Sequence, residues 1–178
     1  MSELEYEKAG RGPTAAVSGE YAWGSTSITG ATSISNGGTV SERGQVGSNI
    51  TYNTSGGVQG PLRVGSHGGG VNNRVASGAS YYGIFDLSGK LWESFVTVGN
   101  STGRSFQGNR HGNGNLDTAG EANQSTWPTT SSTGAGFRGG NWNGSASEAR
   151  ISDRFYSCFV GGYRDGDFGG RGARLSAP

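Results

Sequence analysis

Apolar residues are sparse and unevenly spaced along the chain, and only a few stretches carry a period. Ser2, with Glu5 three residues on, makes a capping box. Leu4, Tyr6 and Ala9 then give a short apolar stripe that ends before Gly10, Gly12 and Pro13, which predicts one short N-terminal helix. From Tyr21 to Ser80 isolated apolar residues such as Trp23, Ile28, Val58 and Leu62 stand among Gly, Ser, Thr and Asn, a pattern for folded-over loops with strand fragments. Tyr81 to Val98 is denser, and two β-rich runs flank Ser88-Gly89, which predicts a strand, a tight turn and a longer strand. Asn100 to Gly136 returns to loop composition. GFRGGNW then predicts another short strand and the terminal RGARL a last one. The expected class is α+β, with few short helices and strands and many irregular connections.

Composition sharpens this picture. The 178 residues have room for one core, so 1–178 is taken as a single domain. The 36 glycines favour turns over long helices, while four Trp, seven Tyr and seven Phe supply buried area per residue. A net charge of +1 without a Lys/Arg cluster gives no electrostatic footprint for nucleic acid or an anionic membrane. No apolar run is long enough for a membrane span, and SELEYEKAG is not the basic, then apolar, start of a signal peptide. No membrane insertion is expected. The one cysteine, Cys158, rules out an intrachain disulfide and a CxxC motif.

Several motifs are resemblances rather than periodicities. FDLSGKLWESF resembles the D-M-x-G-N-V-W-E-W segment of the formylglycine-generating-enzyme (sulfatase-modifying factor) family, with Asp86, Gly89, Trp92 and Glu93 matching. FRGGNW resembles that family's R-G-G-S-W, and Arg150 and Arg154 match the R-x-x-x-R that follows. GAR at Gly172 to Arg174 resembles the terminal G-F-R, and SELEYEKAGRG resembles a helix near the middle of the family domain. The matches run in family order from residue 2 to residue 174, without the segment that normally precedes that helix. The resemblance implies a C-type-lectin-like fold of the formylglycine-generating-enzyme type with a shortened N-terminus.

Within that family the chemistry-bearing residues point away from catalysis. The oxidase members use a cysteine pair for copper and related members use several histidines for iron. Cys158, His67 and His111 supply neither set, since a soft-metal site needs three or four converging thiolate or imidazole ligands. No enzyme activity, no cofactor and no metal are expected. His67 and His111, each beside glycine in loop sequence, read as solvated. Some family members bind calcium through the Asn and Glu of G-N-x-W-E, but here the Asn position is Lys90, whose ammonium can take the cation's place and pair with Glu93 or Asp86. GAGFRG at 134–139 fits GxGxxG yet leads into a strand, so the match is accidental. Asn49, Asn100 and Asn143 head N-x-S/T triplets of the kind so Asn- and Ser-rich a chain contains by chance.

Phe155 to Gly170, FYSCFVGGYRDGDFGG, mixes aromatic, charged, thiol and glycine residues without helical or strand period. It lies between R-x-x-x-R and G-F-R, where retroelement-diversified members of the family carry randomised adenines. An AAC codon so treated never yields Lys, Glu, Gln, Met or Trp, and none of these occurs from Phe155 to Gly170. The resemblance therefore implies a variable protein of a diversity-generating retroelement, with a variable region at 141–170. Its expected ligand-binding residues are Asn141, Asn143, Phe155, Tyr156, Ser157, Cys158, Phe159, Val160, Tyr163, Asp165, Asp167 and Phe168, and its expected partner is a protein or carbohydrate. Tyr and Phe offer contact area at low entropy cost, and Gly, Ser and Asp adapt around them. The carriers of such domains are phage virions or bacterial cell surfaces. An undiversified structural or assembly domain of such a carrier is the alternative, and a sulfatase-modifying-type oxidase a more distant one. Trp92, Trp142, Arg138, Arg150, Arg154 and Arg174 read as scaffold, with Asp86, Glu93, Glu148 and Asp153 available to pair with the arginines.

Overall fold

A computed structural model describes residues 1–53, 58–68, 72–106, 115, 117–119, 125, 127, 132–159, 161 and 165–170. In chain order the elements are helix α1 (Glu3–Arg11), strands β1 (Ile34–Ser35) and β2 (Arg43–Gly44), helix α2 (Arg74–Ser77), strand β3 (Trp92–Val96), helix α3 (Ser101–Arg104), and strands β4 (Ala135–Arg138) and β5 (Phe168–Gly169). The described chain is thus α+β, with few short elements and long irregular connections. The RGARL segment, His111 and Arg174 fall outside the described residues.

Helix α1 forms for the reasons its sequence contains. The Ser2 side chain accepts from the Glu5 amide while the Glu5 carboxylate accepts from the Ser2 amide, which satisfies two of the amides that a helix start leaves open. Glu3 and Glu5 in the first turn and Lys8 and Arg11 in the last complement the helix dipole. Tyr6 is fully buried with Ala22, Leu87 and Ile151, and its hydroxyl donates to the Leu87 carbonyl. A second cluster joins Tyr21, Trp23, Ile50 and Ala149, with the Tyr21 and Trp23 rings stacked at 4.9 Å. A third, of Ala31, Val58 and Leu62, holds part of the long loop region together.

The main sheet has the order β4-β3-β5, antiparallel on one side of β3 and parallel on the other. Register assigns the two faces. Glu93 lies opposite Arg138, so these two share a face with Phe95; Trp92 opposite Phe168, and Ser94 opposite Phe137, share the other. The first face turns to α1. There Arg138, 1% exposed, bonds Glu3 (3.3 Å), Glu7 (3.0 Å) and the Ile151 carbonyl (2.6 Å). Its guanidinium also lies over the Tyr6 and Phe95 rings, whose faces attract a cation. Arg154 closes on the same two glutamates from the surface.

Three expectations change here. Within Tyr81 to Val98 only Trp92–Val96 is strand, and Gly83 and Ile84 turn back on Ser80. Asp86 and Lys90 hold positive φ values of 64° and 68°. Such left-handed backbone is incompatible with a continuous ladder. Of the scaffold arginines, Arg138 and Arg154 pair with Glu3 and Glu7 of α1, partners outside the expected carboxylates, because the sheet presents Arg138 to the helix. Phe168–Gly169, inside the segment expected to lack any regular element, forms β5 because Trp92 and Glu93 offer it an open edge.

Candidate functional site

The face of the sheet opposite α1 is the floor of a cleft of about 370 Å³. Trp92, Phe137 and Phe168 project there from β3, β4 and β5, with the Phe137 and Phe168 rings edge to face at 4.8 Å. Two connecting segments raise the walls. The 155–159 turn docks on the free edge of β4, where the Phe137 amide donates to the Tyr156 carbonyl at 3.0 Å, and Gly136 has no side chain to keep the Ser157 backbone away. The 165–168 turn is held to β3 by the Trp92 amide, which donates to the Asp167 carbonyl at 2.8 Å.

Asn141, Asn143, Tyr156, Phe159, Asp165, Asp167 and Phe168 all line this cleft. Tyr156 is its aromatic hub, edge to face with Trp92 (5.0 Å), Phe155 (4.8 Å) and Phe159 (5.4 Å). Phe155 is 78% exposed and Phe159 39%, while Tyr156, Asp167 and Phe168 are half-buried. Asn141, by contrast, is buried, and its Nδ2 donates to Asp167 Oδ2. Asn141 Oδ1 and Asp167 Oδ1 are both buried without a hydrogen-bond partner among the described residues.

The remaining expected residues are placed differently. Phe155, Ser157 and Cys158 do not line the cleft. The exposed Cys158 rests against Thr97 Oγ1 at 3.7 Å. Val160 and Tyr163 lie outside the described residues. Trp92, Phe137, Gly144 and Glu148 line the cleft without being singled out for it by the sequence. The two aromatics can be found by applying the two-residue period of their strands. Nothing in the local sequence marks Gly144 or Glu148. Trp142, expected as buried scaffold, is half-buried and donates from Nε1 to the Gly166 carbonyl at 3.2 Å, because its backbone follows a loop rather than the sheet.

His67 is not solvated. It is buried between Ser48 Oγ (3.0 Å from Nδ1) and Thr51 Oγ1 (3.2 Å from Nε2). Burial, reinforced by the Lys90 ammonium and only partly offset by Asp86, brings its pKa down to about 4. Lys90 is itself buried and donates to Asp86 Oδ1 (2.9 Å), the Arg63 carbonyl (2.7 Å) and Ser66 Oγ (2.9 Å). Three oxygens around one ammonium use all its donors and cross-link the 63–66 and 86–90 loops. Melting curves in calcium and in chelator are accordingly expected to coincide, and a clear drop in chelator would mean that a cation, not Lys90, holds these loops. Among the described residues no group of three His, Cys, Asp or Glu is arranged to hold a metal ion. No described helix is long and apolar enough to cross a membrane.

No protein-family model matches the chain, and no curated protein matches it.

Proposed function

We propose that the chain is a ligand-binding display module with a C-type-lectin-like fold of the formylglycine-generating-enzyme type, the variable protein of a diversity-generating retroelement. Its cleft presents diversified side chains to a protein or carbohydrate ligand on a phage virion or bacterial surface. One observation carries this: residues assigned to binding from a segment without regular period come together with Asn141 and Asn143 around a single cleft floored by the sheet. The cleft volume lies at the lower end of ligand sites, roughly 300–1,000 Å³, and its mixture of aromatic rings and a few polar groups is that of a recognition surface. The α1 helix, Arg138 and the Tyr6 cluster lie on the other side of the sheet from the cleft.

A binding role is favoured over an oxidase role by the positions of the reactive groups. His67 is enclosed by two hydroxyls behind the 63–66 loop, and Cys158 sits against Thr97 and Gly99 outside the cleft.

The test replaces Phe155 and Phe159 with Ser and Asp165 with Asn together, in protein panned against peptide and glycan libraries. Exposed substitutions usually stay within about 0.5 kcal/mol each, so the melt is expected to remain cooperative and near the parent while affinity for the selected ligand is lost. Unchanged affinity sinks the display role. Diversification is tested at the gene: a nearby near-copy of the coding DNA past Trp142, differing mainly at adenines and accompanied by a reverse-transcriptase gene, is expected.

A further inference from the structure

The cleft is chemically lopsided. Glu148, Asp165 and Asp167 line it, no described lining residue is Lys or Arg, and none of the three carboxylates is ion-paired among the described residues. Three other carboxylates are ion-paired, by contrast: Glu3 meets Arg138, Glu20 meets Arg11 and Asp86 meets Lys90.

Acceptors in the cleft are also left over. Asn141 is 6% exposed and commits its Nδ2 to Asp167, yet its Oδ1 and the Asp167 Oδ1 are buried with no donor among the described residues. A buried acceptor without a partner is unfavourable, so two in one cleft are a standing demand for donors from outside. Gly144 shows how the space is kept. Its backbone is not left-handed, so glycine is not required for a turn; a Cβ there would collide with Asn141 Oδ1 and Glu148 Oε2, which converge beside it. The rings of Trp92, Tyr156 and Phe159 line the same cleft, and aromatic faces attract cations.

Carboxylates, unmet acceptors and aromatic faces have one ligand chemistry in common, a positively charged group that only donates, carried on an apolar stem. A sugar's hydroxyls can donate to the same oxygens and its C–H faces can pack on the rings, but a neutral sugar brings no charge to answer three carboxylates with no ion pair among the described residues. We propose that the cleft takes a lysine or arginine side chain of a partner protein, with its cationic head against Asn141, Glu148 and Asp167 and its methylene stem along Tyr156 and Phe159. Lys and Arg share the donor-only chemistry required. This assignment rests on the display function proposed above and narrows it to a basic protein epitope.

The experiment is an NMR titration of the full chain with the methylamides of N-acetyl-lysine, N-acetyl-arginine and N-acetyl-norleucine, and with glucosamine and calcium chloride. The Asn141 side-chain amide and the Trp92 indole N–H serve as reporters. Both cationic amides are expected to give saturable shifts there and the norleucine amide none. The double variant Glu148→Gln, Asp165→Asn leaves the Asn141–Asp167 bond in place, and should weaken the cationic amides roughly tenfold or more with an unchanged melt. Norleucine amide matching the cations would make the cleft an apolar groove and overturn the assignment. Stronger binding of glucosamine or calcium at the same reporters would make it a sugar or metal site, and silence from every probe would remove the assignment. In all these cases the display function survives if the triple variant above still loses its selected ligand, so the two can fail separately.

Discussion

Replacing Arg138 with alanine is expected to destabilise the domain by about 3–5 kcal/mol, the usual consequence of removing one partner from a buried ion pair. Arg138 is almost wholly buried; without it Glu3, itself buried, keeps the half-exposed Arg154 as its counter-charge beside the Val98 amide, the Ile151 carbonyl loses a donor, and a void opens over the Tyr6 and Phe95 rings. Small domains have only about 5–15 kcal/mol in total, so partial unfolding at room temperature is within reach. Denaturant unfolding of Arg138→Ala and Arg138→Met separates the causes, because Met refills the void without restoring charge. Arg138→Met should remain destabilised, and adding Glu3→Gln should recover part of the loss. An Arg138→Met protein as stable as the parent would show that shape, not charge, holds α1 to the sheet.

The second large effect is a dependence on pH. The unfolded chain protonates His67 near pH 6.5, whereas the folded protein resists until about pH 4, so between those values the unfolded state binds more protons. Stability from this residue is fully present above about pH 6.5 and is lost as pH falls toward 4. At about 1.4 kcal/mol per pH unit the whole loss comes to about 3 kcal/mol. Other groups also respond to acid, so the comparison is with His67→Gln, which can keep hydrogen bonds to Ser48 and Thr51 but cannot titrate. Its melting temperature should fall less between pH 7 and pH 4, the range that brackets the His67 titration. Parallel curves for the two proteins would defeat the assignment.

The parts of the molecule legible in its sequence are those where a local pattern and the tertiary fold agree. Helix α1 follows from Ser2 and Glu5, which satisfy each other within one turn whatever surrounds them. Strand β4 and the second half of the Tyr81 to Val98 stretch likewise follow from β-rich residues. Lys90 is readable because its ammonium can take a cation's place beside Asp86, with which it pairs at 2.9 Å. The structure departs from the sequence reading where distant chain decides. Nothing near His67 shows that Ser48 and Thr51 will close over it, and nothing near Arg138 names Glu3, 135 residues away, as its partner. Which residues between Phe155 and Gly170 face the cleft depends on how the 155–159 and 165–168 turns dock to β4 and β3, which the local sequence does not show. Asn141 meets Asp167 because the 165–168 turn is tied to Trp92, across 26 residues of chain.

The seating of α1 also sets an order of assembly. The Val96 amide donates to the Met1 carbonyl, the Val98 amide to Glu3, and Arg138 and Arg154 reach the same short helix from still farther along the chain. So short a helix is marginal in isolation, and α1 is synthesised well before the strands and arginines that hold it. Closing loops of that length must precede the contacts that reward it, which places the chain among slowly folding topologies. The capping box in its first turn then acts as a nucleus held in reserve, keeping a nascent helix available until its arginines have been synthesised.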